Sequence, residues 1–303
     1  MDYTKMEVKR KIYDCFTFWK EFDVLEMRLN ELHEIVDKFI IVESLYSHAG
    51  EKKPFHLQEN MHKFKRFKNQ IVLISDSRFK KKESPTIRQN YQRNLIGRGL
   101  KSLNAQKEDL VIISDCDEIP RASIIKDLSK DPLNCILELD GYISYFNLYF
   151  QKWNRGRVLL YKDFKSAQKT HRDYFIQAAL EMRRFKTIPF LRINHFFAAN
   201  WIDRNLGAYI GFKPKSLPVI KNAGWHFTKM FPIEVILESV YASSHTEFRS
   251  DVKGINDIEL KRSQNQTYYG GVAVGKVVEL DDTFPSFLLN NKERFKDYIK
   301  PIS

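Results

Sequence analysis

The first half of the chain alternates short apolar runs with amphipathic segments. The apolar runs are Ile12–Phe18, Phe39–Val42, Ile71–Ile74 and Leu110–Ile113. Between the first two runs, Glu21–Val36 has the residue spacing of an amphipathic helix. The positions that repeat are Val24, Leu25, Arg28, Leu29 and Leu32, followed by Ile35 or Val36. A second helix is predicted from Pro85 to about Leu103, because proline is tolerated in the first helical turn. This alternation predicts an α/β fold with a mostly parallel central sheet flanked by helices.

The second half has a less regular pattern. Aromatic strand patterns occupy Cys135–Phe150 and Phe190–Phe197, whereas Pro232–Ser244 and Asn256–Gln264 have helical patterns. The change of pattern falls near the dipeptide Asp131-Pro132. We therefore expect two halves of different character that meet at about this point.

The chain carries an excess of positive charge. Lysine and arginine outnumber aspartate and glutamate by 50 to 38, which gives a formal net charge of +12. A solvated basic surface, a nucleic acid, an anionic membrane surface or an anionic ligand such as a nucleotide diphosphate would each account for it. Two basic clusters, His62–Lys68 and Arg78–Lys82, fall where loops are expected, and no signature of a nucleic-acid-binding fold surrounds them. We therefore expect no nucleic-acid partner.

The cysteine and hydropathy patterns predict a cytoplasmic protein. Three cysteines, Cys15, Cys116 and Cys135, form no CxxC pair and no zinc-binding spacing, which is typical of a reducing compartment. The first residues are polar and charged, unlike a signal peptide. No apolar stretch reaches the ~18–20 residues that a membrane helix needs. We therefore expect no transmembrane segment and, at most, a peripheral contact with an anionic membrane.

A pair of aspartates directly follows the fourth apolar run. Asp115 and Asp117 stand in the segment Leu110-Val-Ile-Ile-Ser-Asp-Cys-Asp-Glu-Ile-Pro120. Ligands of parallel sheets bind beyond the carboxyl ends of the strands, and residues two apart point the same way in an extended chain. Neighbouring carboxylates repel each other unless a cation lies beside them, and oxygen ligands suit Mg²⁺ or Mn²⁺. The alternative is that one aspartate caps the helix after Pro120 and the other is solvated.

Two classes of enzyme carry an Asp-x-Asp motif at a strand end. In metal-dependent phosphatases of the haloacid-dehalogenase type, the motif comes early in the chain and has Thr or Val two residues after the second aspartate. Here the motif begins at Asp115, about a third of the way along the chain, and Ile119 occupies that later position. In nucleotide-sugar transferases, several strands precede the motif and supply the nucleotide pocket. The position therefore favours a transferase, with the phosphatase and a non-catalytic carbohydrate-binding protein as alternatives.

Further motifs follow one another along the chain. They are Tyr13-Asp-Cys-Phe-Thr-Phe18, Glu21-Phe-Asp-Val-Leu-Glu-Met-Arg-Leu-Asn-Glu-Leu32, Phe39-Ile-Ile-Val-Glu-Ser44, Asn90-Tyr-Gln-Arg-Asn94, Ser114-Asp-Cys-Asp-Glu-Ile-Pro-Arg121, Gly224-Trp-His-Phe227 and His245-Thr-Glu-Phe248. In this order they resemble the motifs of glycosyltransferase family 17, over a segment from about Lys11 to Arg262. Several motifs in order are a far more specific signal than any one of them alone.

The resemblance implies a GT-A-like fold and an inverting sugar transfer. It implies a UDP-sugar donor, with N-acetylglucosamine as the sugar, a glycan acceptor that offers a hydroxyl, and Mn²⁺ or Mg²⁺ as the cofactor. It also implies a single glycosyltransferase domain over residues 1–303. Within that domain, residues 8–130 would bind the nucleotide sugar and residues 131–303 the acceptor.

Three residues are candidate metal ligands. Asp117 is expected to bind the metal, and Asp115 is expected to contact the ribose of the donor, the metal or both. In that role the metal would screen the charge that develops on the leaving diphosphate. His226 is the third candidate, with a hydrogen-bonded position in the core as its alternative.

Three residues are candidates for binding the donor alongside Asp115. Glu43 ends the second apolar run, where its carboxylate would bind the ribose or the base unless it caps a helix or lies on the surface. Arg93 and Asn94 lie on the helix predicted after Pro85. An arginine suits bidentate recognition of phosphate, and a solvated helix face is the alternative.

An inverting transfer needs a general base within hydrogen-bonding reach of the acceptor hydroxyl. Glu247 is the first candidate, with His245 orienting or replacing it, because both follow a predicted helix in the acceptor half. Glu118 and Asp140 are the other candidates, and an exposed position or a salt bridge is the alternative role of Glu247. Aromatic and basic residues would stack on sugars or clamp the diphosphate, with core or surface positions as their alternatives: Trp153, Trp201, Trp225, Lys261 and Arg262.

Overall fold

Two β-sheets organise this computed structural model, which describes residues 10–78, 83–164, 217–268 and 273–302. The strands are β1 (Ile12–Thr17), β2 (Lys38–Ser44), β3 (Ile71–Asp76), β4 (Leu110–Ile113), β5 (Glu118–Pro120), β6 (Cys135–Leu137), β7 (Leu139–Ile143), β8 (Leu148–Trp153), β9 (Arg157–Leu160), β10 (Val219–Ile220), β11 (Gly224–Thr228) and β12 (Lys276–Val277). The α-helices are α1 (Phe22–Leu32), α2 (His56–Glu59), α3 (Pro85–Asn94), α4 (Ile96–Ser102), α5 (Ala122–Lys130), α6 (Ile233–Ala242), α7 (Ile255–Ser263) and α8 (Ser286–Asn290). Short 3₁₀ helices span Met61–Phe67, Thr246–Asp251 and Lys296–Tyr298.

The larger sheet has seven strands in the order β10-β6-β9-β4-β1-β2-β3. The four predicted apolar runs form β1 to β4, which pair in parallel, whereas β9 pairs antiparallel with both β4 and β6. The predicted α/β fold with a mostly parallel central sheet is therefore confirmed. Because β9 comes from the second half of the chain and lies beside β4, the two predicted halves share this sheet. The functional division at residues 130 and 131 stays a prediction.

Both faces of the larger sheet are covered, which explains why its strands lack a polar alternation. Phe16 of β1 packs in the core cluster that includes Leu29 of α1. The preceding residue, Cys15, points to the other face and packs in the cluster that includes Leu100 of α4. Successive residues of one strand thus enter different cores, as expected for buried parallel strands.

The helix predicted from Pro85 to Leu103 is divided into α3 and α4 at Leu95. At this point the N–H of Leu95 donates to the carbonyl of Gln92, and the N–H of Arg98 donates to that of Leu95. These three-residue steps replace the α-helical four-residue step and turn the chain. Glycine in the second segment lowers helical propensity but allows close packing, since a Cβ at Gly99 would lie 2.5 Å from Ile40 Cγ2.

The smaller sheet has five strands in the order β12-β8-β7-β11-β5. The aromatic pattern Cys135–Phe150 does not form one strand; it contributes to β6, β7 and β8. Glu138 alone separates β6 from β7, which belong to different sheets, and residues 144–147 separate β7 from β8. The other predicted strand pattern, Phe190–Phe197, lies outside the described residues. The helices predicted over Pro232–Ser244 and Asn256–Gln264 are α6 and α7.

The first basic cluster, His62–Lys68, was predicted to be a loop, but most of it belongs to the 3₁₀ helix Met61–Phe67. Phe64, at which this helix is kinked, and Phe67 are both buried. The basic residues between and beside them are exposed. In the second basic cluster, Arg78 pairs with Asp76, and residues 79–82 lie outside the described part of the chain. All three cysteines are buried and unpaired.

Strand β11 begins at a glycine that no other residue can replace without strain. Gly224 has a φ of +153°, and an added Cβ would lie 2.0 Å from the carbonyl oxygen of Ile119. Since β11 pairs with β5 at this point, the substitution Gly224→Ala must separate the two strands. We expect Gly224→Ala to lower the free energy of unfolding by about 3 kcal/mol or more, measured by urea denaturation.

A matched control separates the steric contact from the backbone conformation. Gly254 has a φ of +137°, but a Cβ added there would meet nothing within 4 Å. Gly254→Ala should therefore lose only the conformational part, about 1–2 kcal/mol. Equal losses in the two variants would contradict the proposed clash with Ile119.

Candidate active site

Asp115 and Asp117 lie in a tight turn between β4 and β5. Their arrangement differs from the extended geometry expected from the sequence, because a turn is formed at Cys116 and Asp117. The N–H of Glu118 donates to the carbonyl oxygen of Asp115 over 3.0 Å, and the N–H of Asp115 donates to Glu118 Oε2 over 3.0 Å. These two bonds close the turn, and both aspartates line the same cavity.

A buried arginine that the sequence analysis did not assign to the site holds this turn. The guanidinium of Arg28 on α1 has no exposed surface and forms two hydrogen bonds with the carboxylate of Asp14, of 2.6 and 2.7 Å. Its Nη1 donates to the carbonyl oxygens of Asp115, Cys116 and Glu118 over 2.7, 3.2 and 2.8 Å. One cation therefore satisfies three carbonyls of the turn, two of which belong to the buried residues Cys116 and Glu118.

Asp115 forms an ion pair with the predicted donor-binding residue Arg93. Arg93 Nη2 donates to Asp115 Oδ1 over 2.5 Å, and the aspartate side chain keeps 43% of its surface exposed. Burial raises the pKa of Asp115, but the charge and the hydrogen bond of Arg93, with smaller contributions from neighbouring histidines, together outweigh it, and the pKa lies below its usual value. Asp115 is therefore an anion already matched by one cation. Asn94, which follows Arg93 in the chain, is half-buried and is not among the described residues that line the cavity.

Asp117 lies beside His226, which the sequence analysis selected as a third ligand. The two side chains approach to 3.4 Å between Asp117 Oδ2 and His226 Nε2. Strand pairing brings them together, because His226 of β11 is in register with Glu118 of β5, and the N–H of Phe227 donates to the carbonyl of Asp117 over 2.8 Å. Burial lowers the pKa of His226, but the nearby carboxylates, first that of Asp117, outweigh it and raise the pKa above its usual value.

Trp153 and Glu118 complete the polar layer behind the turn. The Trp153 ring stacks on the His226 ring with 4.6 Å between centroids, and its indole N–H donates to Glu118 Oε1. Burial and then the charge of Asp115 raise the pKa of Glu118, whose side chain is almost inaccessible. Glu118 does not line the cavity. Its contacts orient the turn and the histidine, and its predicted role as a base stays a prediction.

The turn forms one wall of a cavity of about 200 Å³. The other walls come from the segments that follow β1, β2 and β11, and from α3 and α6. The charged and polar groups on these walls include Trp19, Glu21, His48, Lys53, Gln92 and Lys229. A cavity beyond the carboxyl ends of parallel strands is where α/β proteins bind their ligands.

Cationic and neutral groups surround the aspartates in this cavity. Lys229 follows β11 with a φ of +60°, and its Nζ donates to Ser239 Oγ over 2.7 Å. Lys53 lies 3.6 Å from Glu43 Oε1. Burial and then the charge of Arg93 lower the pKa of His48 to about 4, so that this imidazole is neutral at physiological pH. The walls thus offer two ammonium groups and one neutral hydrogen-bonding ring to a ligand.

Glu43 is buried beneath the cavity rather than exposed in it. Its two carboxylate oxygens accept hydrogen bonds from the N–H groups of Leu57 and Gln58, at 2.9 and 3.1 Å. Burial raises the pKa of Glu43, while these hydrogen bonds and Lys53 lower it by a smaller amount. The carboxylate therefore caps the short helix α2, and a helix cap was one of the alternatives stated for Glu43. It also positions Lys53. Its role in donor binding stays a prediction.

His245 and Glu247 lie on the surface beside the cavity. Their side chains are 64% and 59% exposed, and His245 Nδ1 is 2.9 Å from Glu247 Oε1. This hydrogen bond lowers the pKa of Glu247. His245 lines a smaller recess that shares Lys229 and Ser243 with the cavity, whereas Glu247 lines neither. The structure therefore does not bring Glu247 together with the aspartates, and its role as a base is untested.

The remaining candidates have structural partners. Asp140 pairs with Lys152 at 2.7 Å. Trp225 is buried, with the Arg121 guanidinium 4.1 Å from its ring centroid. Lys261 pairs with Asp257 within α7, and the Arg262 guanidinium lies 4.5 Å from the Tyr145 ring centroid. Trp201 lies outside the described residues. In the described part of the chain, none of these side chains lines the cavity.

The donor set at the turn suits a hard divalent cation that also binds a ligand. Within the ranges that the structure describes, no group of three or more His, Cys, Asp or Glu side chains forms a ready metal site. Asp117 and His226 nevertheless place a carboxylate oxygen and an imidazole nitrogen 3.4 Å apart. Mg²⁺ and similar cations are commonly held by one or two carboxylates together with phosphate oxygens and water. The residues present therefore fit a metal that is completed by a bound diphosphate.

Comparison with known proteins gives related sequences over nearly the whole chain. It is 24% identical to the β-1,4-mannosyl-glycoprotein 4-β-N-acetylglucosaminyltransferase of Rattus norvegicus over 96% of its length, and 24% identical to that of Homo sapiens over 95%. The chain spans about half the length of these relatives, 54% and 55% respectively.

Among solved structures, glucosyl-3-phosphoglycerate synthase from Mycobacterium tuberculosis matches 92% of this chain and 91% of its own. The identity is 11% and the TM-score is 0.31, and a likeness of this degree supports no conclusion about fold or ligand. In the segments that the structure describes, no helix is long and apolar enough to cross a membrane.

The family assignment depends on a match that covers more than half of the sequence. The family model for glycosyltransferase family 17 matches residues 1–179 of the 303. That segment includes β1 to β4, Arg28 and the acidic turn, and thus most of the geometry described above. The chain belongs to glycosyltransferase family 17.

Proposed function

We propose that this chain transfers a sugar from a UDP-sugar to a hydroxyl of a glycan acceptor, with inversion at the anomeric carbon. N-acetylglucosamine is the proposed sugar and a mannose-containing glycan the proposed acceptor, since the curated relatives are named for that transfer. The observation that carries the proposal is the acidic turn of Asp115 and Asp117, which lines a cavity beyond the parallel strands of a family-17 chain.

The residues around the cavity suit a nucleotide diphosphate. In this proposal, Asp117 and His226 hold Mn²⁺ or Mg²⁺. When bound there, such a cation would supply positive charge that offsets the negative charge of the diphosphate. Lys53 and Lys229 line the same cavity and add positive charge near the phosphates. Arg93 keeps the Asp115 carboxylate in place, where it can accept a hydrogen bond from a ribose hydroxyl. Asp115, Lys53 and Lys229 are each held by a contact within the protein before a donor binds, with Arg93, Glu43 and Ser239 respectively.

The donor is tested by ligand-dependent stabilisation. UDP with Mn²⁺ should raise the thermal midpoint of the chain, because a ligand at ~100 times its dissociation constant adds about 2.7 kcal/mol to the free energy of unfolding. UDP with EDTA should stabilise the chain less, since a cation held at Asp117 and His226 would supply positive charge to the diphosphate. The measurement is a thermal-shift titration with UDP, GDP and CMP, each with and without Mn²⁺.

The nucleotide panel separates the two parts of this prediction. A shift with GDP or CMP but none with UDP would contradict the uridine specificity and leave nucleotide-sugar transfer standing. A shift with none of the nucleotides would contradict donor binding itself. Release of phosphate from a generic phosphate ester, without affinity for UDP, would favour the phosphatase alternative.

A further inference from the structure

One carboxylate of the cavity has no assigned role. Among the described residues that line the cavity, the carboxylates are those of Asp115, Asp117 and Glu21. Asp115 is paired with Arg93, and Asp117 lies against His226. Glu21 is thus the cavity carboxylate that neither the arginine nor the histidine engages.

The position of the Glu21 side chain is fixed by the backbone. Glu21 precedes the first residue of α1, and its Oε2 accepts hydrogen bonds from the N–H groups of Trp19 and Lys20, at 2.9 and 3.0 Å. Its Oε1 accepts none from the residues that the structure describes. One oxygen therefore anchors the carboxylate while the other stays available to a ligand in the cavity.

The surroundings of Glu21 suit a sugar hydroxyl. Trp19 lines the cavity two residues away and is held by an edge-to-face contact with Phe231, at 5.9 Å between ring centroids. Aromatic rings of this kind pack against the apolar faces of sugars while nearby polar groups bind the hydroxyls. Burial, and to a smaller extent the charge of Asp117, raises the pKa of Glu21 to about 7. A carboxylate with such a pKa accepts a proton more readily at neutral pH than an ordinary glutamate.

We propose that Glu21 is the general base of the transfer, in place of Glu247. This inference rests on the proposed function. Glu21 Oε1 takes the proton of the acceptor hydroxyl, and the acceptor oxygen forms a bond with the anomeric carbon of the donor sugar. The bond between that carbon and the β-phosphate oxygen of UDP breaks, and UDP leaves with the bonding electrons. Glu21 then releases its proton to solvent, which restores the carboxylate.

The test is the substitution Glu21→Gln in the full chain. The amide oxygen of glutamine can still accept the hydrogen bonds from Trp19 and Lys20, so the loop should keep its conformation. We expect turnover to fall by ~10²-fold or more, while the affinity for UDP with Mn²⁺ changes less than about threefold. Turnover is measured as UDP release from UDP-N-acetylglucosamine, with p-nitrophenyl β-mannoside and with water as acceptors. Affinity for UDP is measured by calorimetry in the presence of Mn²⁺.

Two other substitutions of glutamate by glutamine provide matched comparisons. Glu238 pairs with Lys20 at 2.6 Å, is 49% exposed and does not line the cavity among the described residues, so Glu238→Gln should leave turnover unchanged. Glu247→Gln tests the rival base and should also leave turnover close to that of the original chain.

A conservative variant of Glu21 itself tests the position of the carboxylate. Glu21→Asp withdraws the carboxylate by one methylene group and should lower turnover by ~10-fold with the fold intact.

The outcomes separate this inference from the proposed function. If the original chain neither binds UDP nor releases it from UDP-N-acetylglucosamine, the proposed function is wrong. The proposed role of Glu21 is then wrong as well, because it depends on that function. If the original chain is active and either folded Glu21 variant retains full turnover, Glu21 is not the base. If Glu21→Gln loses UDP affinity together with turnover, Glu21 belongs to the donor site. A loss confined to Glu247→Gln would restore Glu247 as the base.

Discussion

The variant Asp117→Ala is expected to lose sugar transfer by ~10²-fold or more while it keeps its fold. Its carboxylate lines the cavity and lies 3.4 Å from His226 Nε2, which makes it the first candidate for the bond to a divalent cation. The structural contact of Asp117 is made by its backbone, because the carbonyl accepts a hydrogen bond from Phe227, and alanine retains that carbonyl. The measurement is UDP release from UDP-N-acetylglucosamine at saturating Mn²⁺.

The same variant should lose the effect of metal on donor binding. In the original chain, Mn²⁺ is expected to increase the affinity for UDP; in Asp117→Ala, the affinity should be the same with Mn²⁺ and with EDTA. The control is Asp127→Ala on α5, an aspartate that is 75% exposed and pairs only loosely with Lys130 at 3.6 Å. Turnover near that of the original chain in a folded Asp117→Ala protein would disprove the metal assignment.

The sequence was sufficient to predict the central sheet and the place of its site. Continuous apolar runs have few alternatives to buried parallel strands, so β1 to β4 were predicted to within a few residues of their observed bounds. The location of Asp115 and Asp117 at the end of β4 followed from the same pattern. Two predicted helices differ from the structure: the one over Glu21–Val36 ends at Leu32, and the one from Pro85 to Leu103 breaks at Leu95, before the glycine-containing segment Ile96–Ser102. Local propensity does not decide such an end or break.

Contacts between distant segments could not be predicted from pattern alone. His226 reaches Asp117 because β11 pairs with β5, a pairing between segments far apart in the chain. Glu21 resembled a residue at a helix end, and only the fold brings it into the cavity with Asp117. For Glu43, both binding and capping were consistent with its position; its carboxylate accepts hydrogen bonds from the amides of Leu57 and Gln58, and its role in donor binding stays a prediction.

A signal for the buried arginine was nevertheless present in the sequence. Arg28 occupies one of the repeating positions of the amphipathic helix, where the other residues are apolar, and Asp14 interrupts the first apolar run. A charged residue at a core position is rarely buried unless it is paired. Two such residues of opposite charge in neighbouring elements therefore predict an internal ion pair. The sequence did not indicate that Arg28 of this pair also binds the carbonyl oxygens of the acidic turn.

The largest effect on stability is expected for Arg28→Ala. Removal of the guanidinium leaves the Asp14 carboxylate without its partner at a site with no exposed surface, and three carbonyls of the turn lose their shared donor. Removing one partner of a buried ion pair typically costs about 3–5 kcal/mol of the free energy of unfolding. Urea denaturation followed by circular dichroism measures this loss, and UDP binding reports whether the turn keeps its shape.

An exposed arginine that pairs with the same helix from outside it provides the comparison for this prediction. Arg294 pairs with Asp23 and Glu26 of α1 at 2.7 Å each, but 43% of its side chain is exposed, so Arg294→Ala should cost less than about 1 kcal/mol. The double variant Asp14→Ala with Arg28→Ala should recover part of the loss, because the buried unpaired charge is removed. It should not recover UDP binding, since the carbonyls of Asp115, Cys116 and Glu118 remain without Arg28. If Arg28→Ala and Arg294→Ala cost the same, or if the double variant binds UDP normally, the arginine does not hold the turn.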